Sequence, residues 1–403
     1  MTAASTYPRL FTLNYVLICC ANFLLHFSFY LILPILPFYL LETFDASKAL
    51  IGGVLACYTV TALLVRPFSG FFLDLVARKP LYLFSYFFVI GVYFGYMFAA
   101  SIAMVVVVRL AHGLFFGMVT TAGSTLVIDI MPSERRGEGL GYFGTMSNLA
   151  MAIGPMVGMF VHNTYAYSAI FSISIITCAI GWVVAWRVKA PPKPQSVKMP
   201  LLLDRFILLK GLRGGASLLL MGIPYAITTS FVAMYAQQLS IKGSAGLFFV
   251  FFSVGLIIAR LFSGKRIDRG QLTQMIALGT AFAIASFAAL GCLVWLPGHF
   301  VQLLGAAYYL TAALIGISYG AIFPAYNTLF VNLGAHNQRG TASSTYMTSW
   351  DIGIGIGLLM GGYLSHHIGF SATYLLGAAS CLLSWWLFVR YVAPHYHQNK
   401  LRG

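Results

Sequence analysis

The chain has 403 residues, 60% of them hydrophobic and only 8% charged, where a soluble domain carries about 25% charged residues. No water-soluble fold can bury that much apolar surface, which excludes a soluble enzyme and makes the chain an integral membrane protein. The net charge of +15 does not point to a nucleic-acid partner, because the basic residues lie in short loops between apolar runs.

A membrane-crossing helix needs about 20 mostly apolar residues. The sequence predicts twelve spans: 12–40, 49–73, 79–99, 102–129, 138–162 and 167–188, then 208–236, 243–263, 272–294, 300–330, 338–364 and 369–391. The apolar run from Leu10 to Leu41 is too long for a signal peptide and is expected to persist as the first helix. Residues 189–206, with Pro191, Pro192, Pro194, Lys193, Lys198 and Arg205, form a basic cytoplasmic linker between an N-terminal six-helix half, 1–188, and a C-terminal one, 207–403. With both termini in the cytoplasm, the inner loops hold nearly all the Lys and Arg, and the outer loops only Lys48 and Lys242. The six cysteines all fall inside apolar stretches, as small packing residues do.

One pattern occurs twice. Arg66, Gly70 and Asp74 fall at i, i+4 and i+8, and so do Arg260, Gly264 and Asp268, 194 residues later. Arg78-Lys79 follows the first copy and Arg269-Gly270 the second. The repeat continues at an offset of 203, where Gly113 and Gly117 match Gly316 and Gly320, and Gly154 and Gly158 match Gly357 and Gly361. Two homologous membrane halves with charged hinges at matching places are the mark of a transporter that rocks between two faces. A carboxylate at a helix end can pair with arginines and accept backbone N–H bonds, so Arg66, Gly70, Asp74, Arg78, Arg260, Gly264, Asp268 and Arg269 are candidates for a conformational latch.

Few charges lie inside the spans. Arg109 sits about a third of the way into span 4, where a cation costs roughly 2.5–3.5 kcal/mol on insertion scales and must face the interior or a wet cavity. Of the nine acidic residues only Asp351 falls well inside a span. Desolvation favours its protonated form, which makes it a candidate proton carrier. Its repeat mate in span 5 is Asn148, and a polar pair on matching helices implies a shared central cavity. In span 1, Asn22, His26 and Tyr30 share one helical face, and His26 either titrates in a wet site or serves as a hydrogen-bond partner. Span 5 carries Gly141, Gly154, Pro155 and Gly158, where the proline frees a carbonyl and the glycines allow close packing. The glycines at 353–357 also predict helix packing, and no phosphate-cradling loop, metal-ligand cluster or catalytic triad spacing is present.

With these features the chain resembles the major facilitator superfamily over nearly its whole length. Arg135-Arg136-Gly137-Glu138-Gly139 and Asp351-Ile-Gly353-Ile-Gly355-Ile-Gly357 are most similar to its bacterial drug and metabolite efflux branches. The resemblance implies an all-α fold of two pseudo-symmetric six-helix bundles working by alternating access. It implies that the Asp74 and Arg78 hinge latches one state, with Leu75 and Ala77 departing from the motif. It links Arg109 to proton coupling, with His112 standing where glutamine is common. Span 5 resembles a motif of proton-driven exporters, with Ala150 and Met159 replacing two of its glycines. Spans 1, 4, 7 and 10 line the cavity in this superfamily, which makes Asn22, Tyr30, His112, Tyr225, Thr228, Thr229, Tyr319, Tyr326 and Asn327 candidates for substrate contact, beside Asn148.

The expectation is therefore a monomeric, non-enzymatic secondary transporter of a bacterial cytoplasmic membrane. It uses no cofactor and exports a small amphipathic drug-like compound or metabolite against protons, with Asp351, Arg109 and His26 in the coupling. Import of a sugar or metabolite by proton symport is the alternative, and a non-transporting membrane sensor is a further one.

Overall fold

The computed structural model describes residues 9–75, 77–132, 135–190, 207–241, 245–296, 301–334 and 339–401, and most of the predicted linker lies outside them. Every regular element among the described residues is a helix. The first predicted span is two helices, α1 (Leu13–Ile32) and α2 (Leu36–Phe44). Pro34 and Pro37 explain the break, since the residue before a proline avoids the helical region and a proline suits only the first turn of a new helix. There follow α3 (Lys48–Leu75), α4 (Arg78–Met97), α5 (Ile102–Ile130), α6 (Arg136–His162), α7 (Tyr167–Arg187), α8 (Leu212–Gln238), α9 (Ala245–Asp268), α10 (Leu272–Cys292), α11 (Val301–Leu333), α12 (Arg339–His367), α13 (Gly369–Leu387) and a short α14 (Ala393–Asn399). Apart from α14, which was not expected, each begins and ends within about a turn of its predicted bounds.

Among the described residues, eleven spans are long and apolar enough to cross a membrane. The twelfth, α12, has the length but not the apolarity, because Ser, Thr, Gly and Asp351 crowd its first two-thirds.

The described chain forms two compact units, and they do not divide at the linker. The first comprises Met1–Ile32, Val60–Gly154 and Thr164–Lys198; the second comprises Leu33–Thr59, Pro155–Asn163 and Met199–Gly403. The segments 33–59 and 155–163 of the N-terminal half thus pack with the C-terminal half.

Lipid tails are as apolar as leucine, so helices associate through close packing and hydrogen bonds rather than by expelling water. In the second unit α8 is enclosed from Met221 to Ala236 without interruption, with α2, α9, α11, α12 and α13 around it. Gly353 and Gly357 of α12 allow the closest of these approaches: a Cβ on Gly353 would strike the Leu219 carbonyl, and one on Gly357 the Ile223 carbonyl. Pro224, inside α8, cannot donate to the Leu220 carbonyl one turn back. The Ser380 hydroxyl of α13 donates to that carbonyl instead, at 2.8 Å, as a broken helix in hydrocarbon requires.

Buried tyrosines do the same work between helices. In the first unit Tyr15 donates to the Gly139 carbonyl at 2.6 Å and Tyr86 to that of Ala21 at 2.9 Å. In the second, Tyr235 donates to Leu290 and Tyr308 to Val232, both at 3.1 Å.

Candidate functional site

In the first unit Arg109 is 1% exposed. Its guanidinium hydrogen-bonds the Tyr96 hydroxyl of α4, which in turn lies 3.1 Å from Nδ1 of His112. An arginine can only donate, so Tyr96 accepts from Arg109, and the tautomer of His112 sets which of the pair donates in the Tyr96–His112 bond. The rings of Phe29, Tyr93 and Phe116 stand 5.4, 5.5 and 5.8 Å from the His112 ring, closing it off at 0% exposure. Arg109 therefore faces the interior, the placement that its insertion cost requires. Tyr96 is the member that the sequence reading missed; a tyrosine in the last turn of span 3 carries no signal until the helices pack.

The span 1 face divides its labour. Asn22 donates to the Phe143 carbonyl at 3.1 Å and to the Ser147 hydroxyl at 2.8 Å, so it ties α1 to α6. His26 places Nδ1 2.9 Å from the Asn22 carbonyl. A carbonyl only accepts, so Nδ1 carries the proton and Nε2 is the acceptor of the neutral ring. Half-buried His26 stacks towards Tyr30 at 6.4 Å and meets Phe116 edge-on at 5.4 Å. Gly154 of α6 lies against the backbone of Tyr30 and Leu31, with Tyr30 Cβ 2.7 Å from where its own Cβ would stand.

The duplicated hinge is the element that the structure redistributes. Arg66 and Arg260 were expected at the loop with the rest of the latch. Each lies more than two turns before the end of its helix and points inward: Arg66 acts electrostatically on His26, and Arg260 on Tyr225 and Tyr346. Residues four apart share a helical face, but each step back along that face also moves about 6 Å deeper, which carries the arginine out of the loop and into the bundle. At the loop end Arg78 forms an ion pair with Asp129 at the end of α5, and Lys79 reaches the Trp186 carbonyl at 2.9 Å. Asp129 was not among the candidates, although at the 203-residue offset its mate is Asn332, which binds the Tyr396 hydroxyl of α14 at 2.9 Å. The side chains of Asp74 and Asp268, and the surroundings of Gly70, lie outside the description. Arg269 is exposed, and Gly270 takes φ +80 at the end of α9, where another residue would be strained.

Two glycines expected at close helix contacts are not there. A Cβ on Gly141 or Gly264 would have nothing within 4 Å. Both stand within two turns of a helix end.

In the second unit Tyr225 of α8 gathers a wall of rings: Tyr319 and Phe323 of α11 at 5.1 and 5.9 Å, and Trp350 of α12 at 4.9 Å. Phe323 and Trp350 pack edge to face at 4.8 Å. Arg260 from α9, Tyr346 and Asp351 from α12 stand beside this wall, all half-buried, and Tyr346 is within electrostatic reach of both Arg260 and Asp351. Phe323, Tyr346 and Trp350 were not among the candidates. Tyr346 and Trp350 recur at i, i+4 within a stretch, 340–351, of mostly small residues, and that spacing was the available signal.

The other expected contacts are committed to structure. The Thr228 and Thr229 hydroxyls bond the Pro224 and Tyr225 carbonyls of their own helix. Tyr319 donates to the Met221 carbonyl at 2.8 Å, and Tyr326 joins Ser217 at 2.7 Å. Asn327 is exposed and Asn148 half-buried.

The chain matches the model of the Major Facilitator Superfamily over residues 18–358 and 289–402. Among curated relatives, the staphylopine export protein of Staphylococcus aureus (strain Mu50 / ATCC 700699) is 24% identical over 82% of this chain and 84% of its own length. An uncharacterized MFS-type transporter of Pseudomonas aeruginosa (strain LESB58) is 25% identical over 93% of this chain and 91% of its own. Among solved structures, a mutant peptide transporter in complex with sulfate superposes with a TM-score of 0.76 at 16% identity, covering 96% of this chain and 95% of that one. A D-xylose-proton symporter gives 0.75 at 12%, covering 96% and 99%. Family model and fold agree with twelve spans in two six-helix halves, and the chain is a member of the major facilitator superfamily, a multi-pass transporter of small molecules and not an enzyme.

Proposed function

We propose that this transporter exports a small amphipathic compound in exchange for protons, by alternating access between the two faces of a bacterial cytoplasmic membrane. The observation that carries the reading is Asp351, a half-buried carboxylate in the middle of α12, next to Trp350 of the aromatic wall and, like half-buried Arg260, within electrostatic reach of Tyr346. A carboxylate at that depth is costly unless it has a task, and one that gains and loses a proton as the site opens to either face couples proton entry to substrate release. Arg109 tunes the field of the first half, and His26, with its acceptor nitrogen available, is a second group for the proton.

Export is favoured over import by two observations. One relative over most of the chain is named as an export protein, and α6 carries Pro155 with Gly154 packed on α1, as the exporter motif would have it. The asymmetry of Lys and Arg supports a cytoplasmic side for both termini and the linker. The halves 1–188 and 207–403 are the bodies that rock, a monomer suffices, and the proton gradient replaces any cofactor.

Proteoliposomes under an imposed pH gradient, carrying a pH-sensitive dye, test this. Candidate substrates should trigger proton movement in the wild type, and Asp351→Asn should abolish it while leaving the protein folded. Labelled flux without proton movement would refute antiport. Uptake driven down an inward proton gradient would turn the reading into symport.

A further inference from the structure

A buried guanidinium needs acceptors, and Arg260 lacks them. Its Nε and Nη2 are shut off from water with no hydrogen-bond partner among the described residues, while the residue as a whole keeps part of its surface open. These two nitrogens are not an arbitrary pair. Nε–H and the adjacent Nη2–H form the side edge of the guanidinium, whose two parallel N–H bonds match the two oxygens of a carboxylate.

Among the described residues nothing hydrogen-bonds to that edge. Tyr225 of α8 and Tyr346 of α12 act on it, but both are neutral phenols that offer one oxygen each. Asp351 acts on Tyr346 and makes no hydrogen bond to the Nε and Nη2 edge of Arg260. Arg109 makes the contrast: at 1% exposure it is enclosed, with its Tyr96 and His112 neighbours. Arg260 keeps an unmet pair of donors at the rim of an apolar wall. Tyr225, Trp350 and Phe323 are each less than a tenth exposed and stand within 4.8–5.9 Å of one another, a cluster of rings of the kind a flat apolar body packs against.

We infer that Arg260 anchors the carboxylate of the transported compound through its Nε and Nη2 edge, and that the Tyr225, Phe323 and Trp350 rings hold the compound's flat apolar body. This rests on the transport reading above and names its substrate class: amphipathic monocarboxylates with an aromatic or otherwise planar body. One cation in apolar surroundings neutralises one negative charge, so dianions are disfavoured.

The test is binding to the purified full-length transporter in detergent, with no gradient. The probes are a panel of aromatic monocarboxylates (benzoate, cinnamate, 2-naphthoate and indole-3-acetate), each paired with its carboxamide of the same shape. At least one acid is expected to bind the wild type tenfold or more tighter than its amide. Arg260→Gln should bring that acid down to the amide's affinity, a loss of roughly ten- to a hundredfold. Arg260→Lys keeps the charge without the two-pronged edge, should fold even if the glutamine variant does not, and should lose most of the preference.

The inference is overturned if no acid outbinds its amide in the wild type, or if the preference survives in full in either variant. Its fate is separable from that of antiport. Acid binding through Arg260 with no proton movement would refute antiport alone, and proton-coupled flux with no preference for acids would refute this inference alone.

Discussion

Arg109 and Arg260 are the same expensive side chain housed in two ways. Arg109 is enclosed at 1% exposure, its guanidinium on Tyr96, Tyr96 beside His112, and His112 behind three rings. Arg260 lies beside a ring wall with one edge unmet and part of its surface open. An arginine whose polar neighbours are built in belongs to the framework of its unit. One whose neighbours leave two parallel donors vacant is held ready for something that comes and goes. Intramembrane charge alone would not separate the two, because both meet the insertion cost in full.

Substitutions can break that contrast. The largest effect is expected at Arg109→Ala, which leaves Tyr96 and His112 buried with their network cut; a loss of about 2–3 kcal/mol should appear as a clearly lowered melting temperature in detergent. If Arg109→Ala melts like the wild type, the network is not structural. Next comes Tyr326→Phe in the second unit, where the hydroxyl shared with Ser217 is a closed contact of the same kind. Interhelical hydrogen bonds in membranes are worth about 0.6 and at most about 1.7 kcal/mol, so a small but measurable drop is expected, and an unchanged melting curve would show that this hydroxyl contributes nothing. The smallest effect is expected at Arg260→Met, since replacing a buried group whose donors are unmet by an apolar one of similar length is neutral or stabilising. A large loss of stability there would mean that Arg260 is a framework residue after all, and would remove the reason for assigning it a ligand.

The fold was legible because its main constraint acts locally. Helix-length apolar runs, punctuated by prolines and basic loops, predicted the bounds of α3 to α13 to within about a turn. The break between α1 and α2 was legible too in Pro34 and Pro37, but hydropathy averages across a proline turn and so the break was passed over. The site was legible only in part. Arg109 and Asp351 stand out because charge is rare in the spans. Tyr96, Phe323, Tyr346 and Trp350 do not stand out in a chain with 33 Phe and 23 Tyr, most of which pack or face lipid. The duplicated hinge misled for a geometric reason. Spacing at i, i+4 and i+8 fixes a face and not a depth, so Arg66 and Arg260 shared the face of the loop residues while lying two turns deeper.

By itself the sequence determined that this chain crosses a membrane, how many times, and that it does so as a tandem repeat. These follow from segment length, apolarity and self-similarity, which are properties of the chain read along its own direction. Only the tertiary structure decided that the compact units exchange segments across the linker, that Asn22 and Tyr319 serve helix packing, that a Cβ on Gly141 or Gly264 would meet nothing within 4 Å, and that Arg109 is enclosed while Arg260 keeps part of its surface open. Each of these depends on which side chains from distant helices arrive at the same point, and in a helical membrane protein that is set by close packing and hydrogen bonding between helices, about which the order of residues along any single helix is silent.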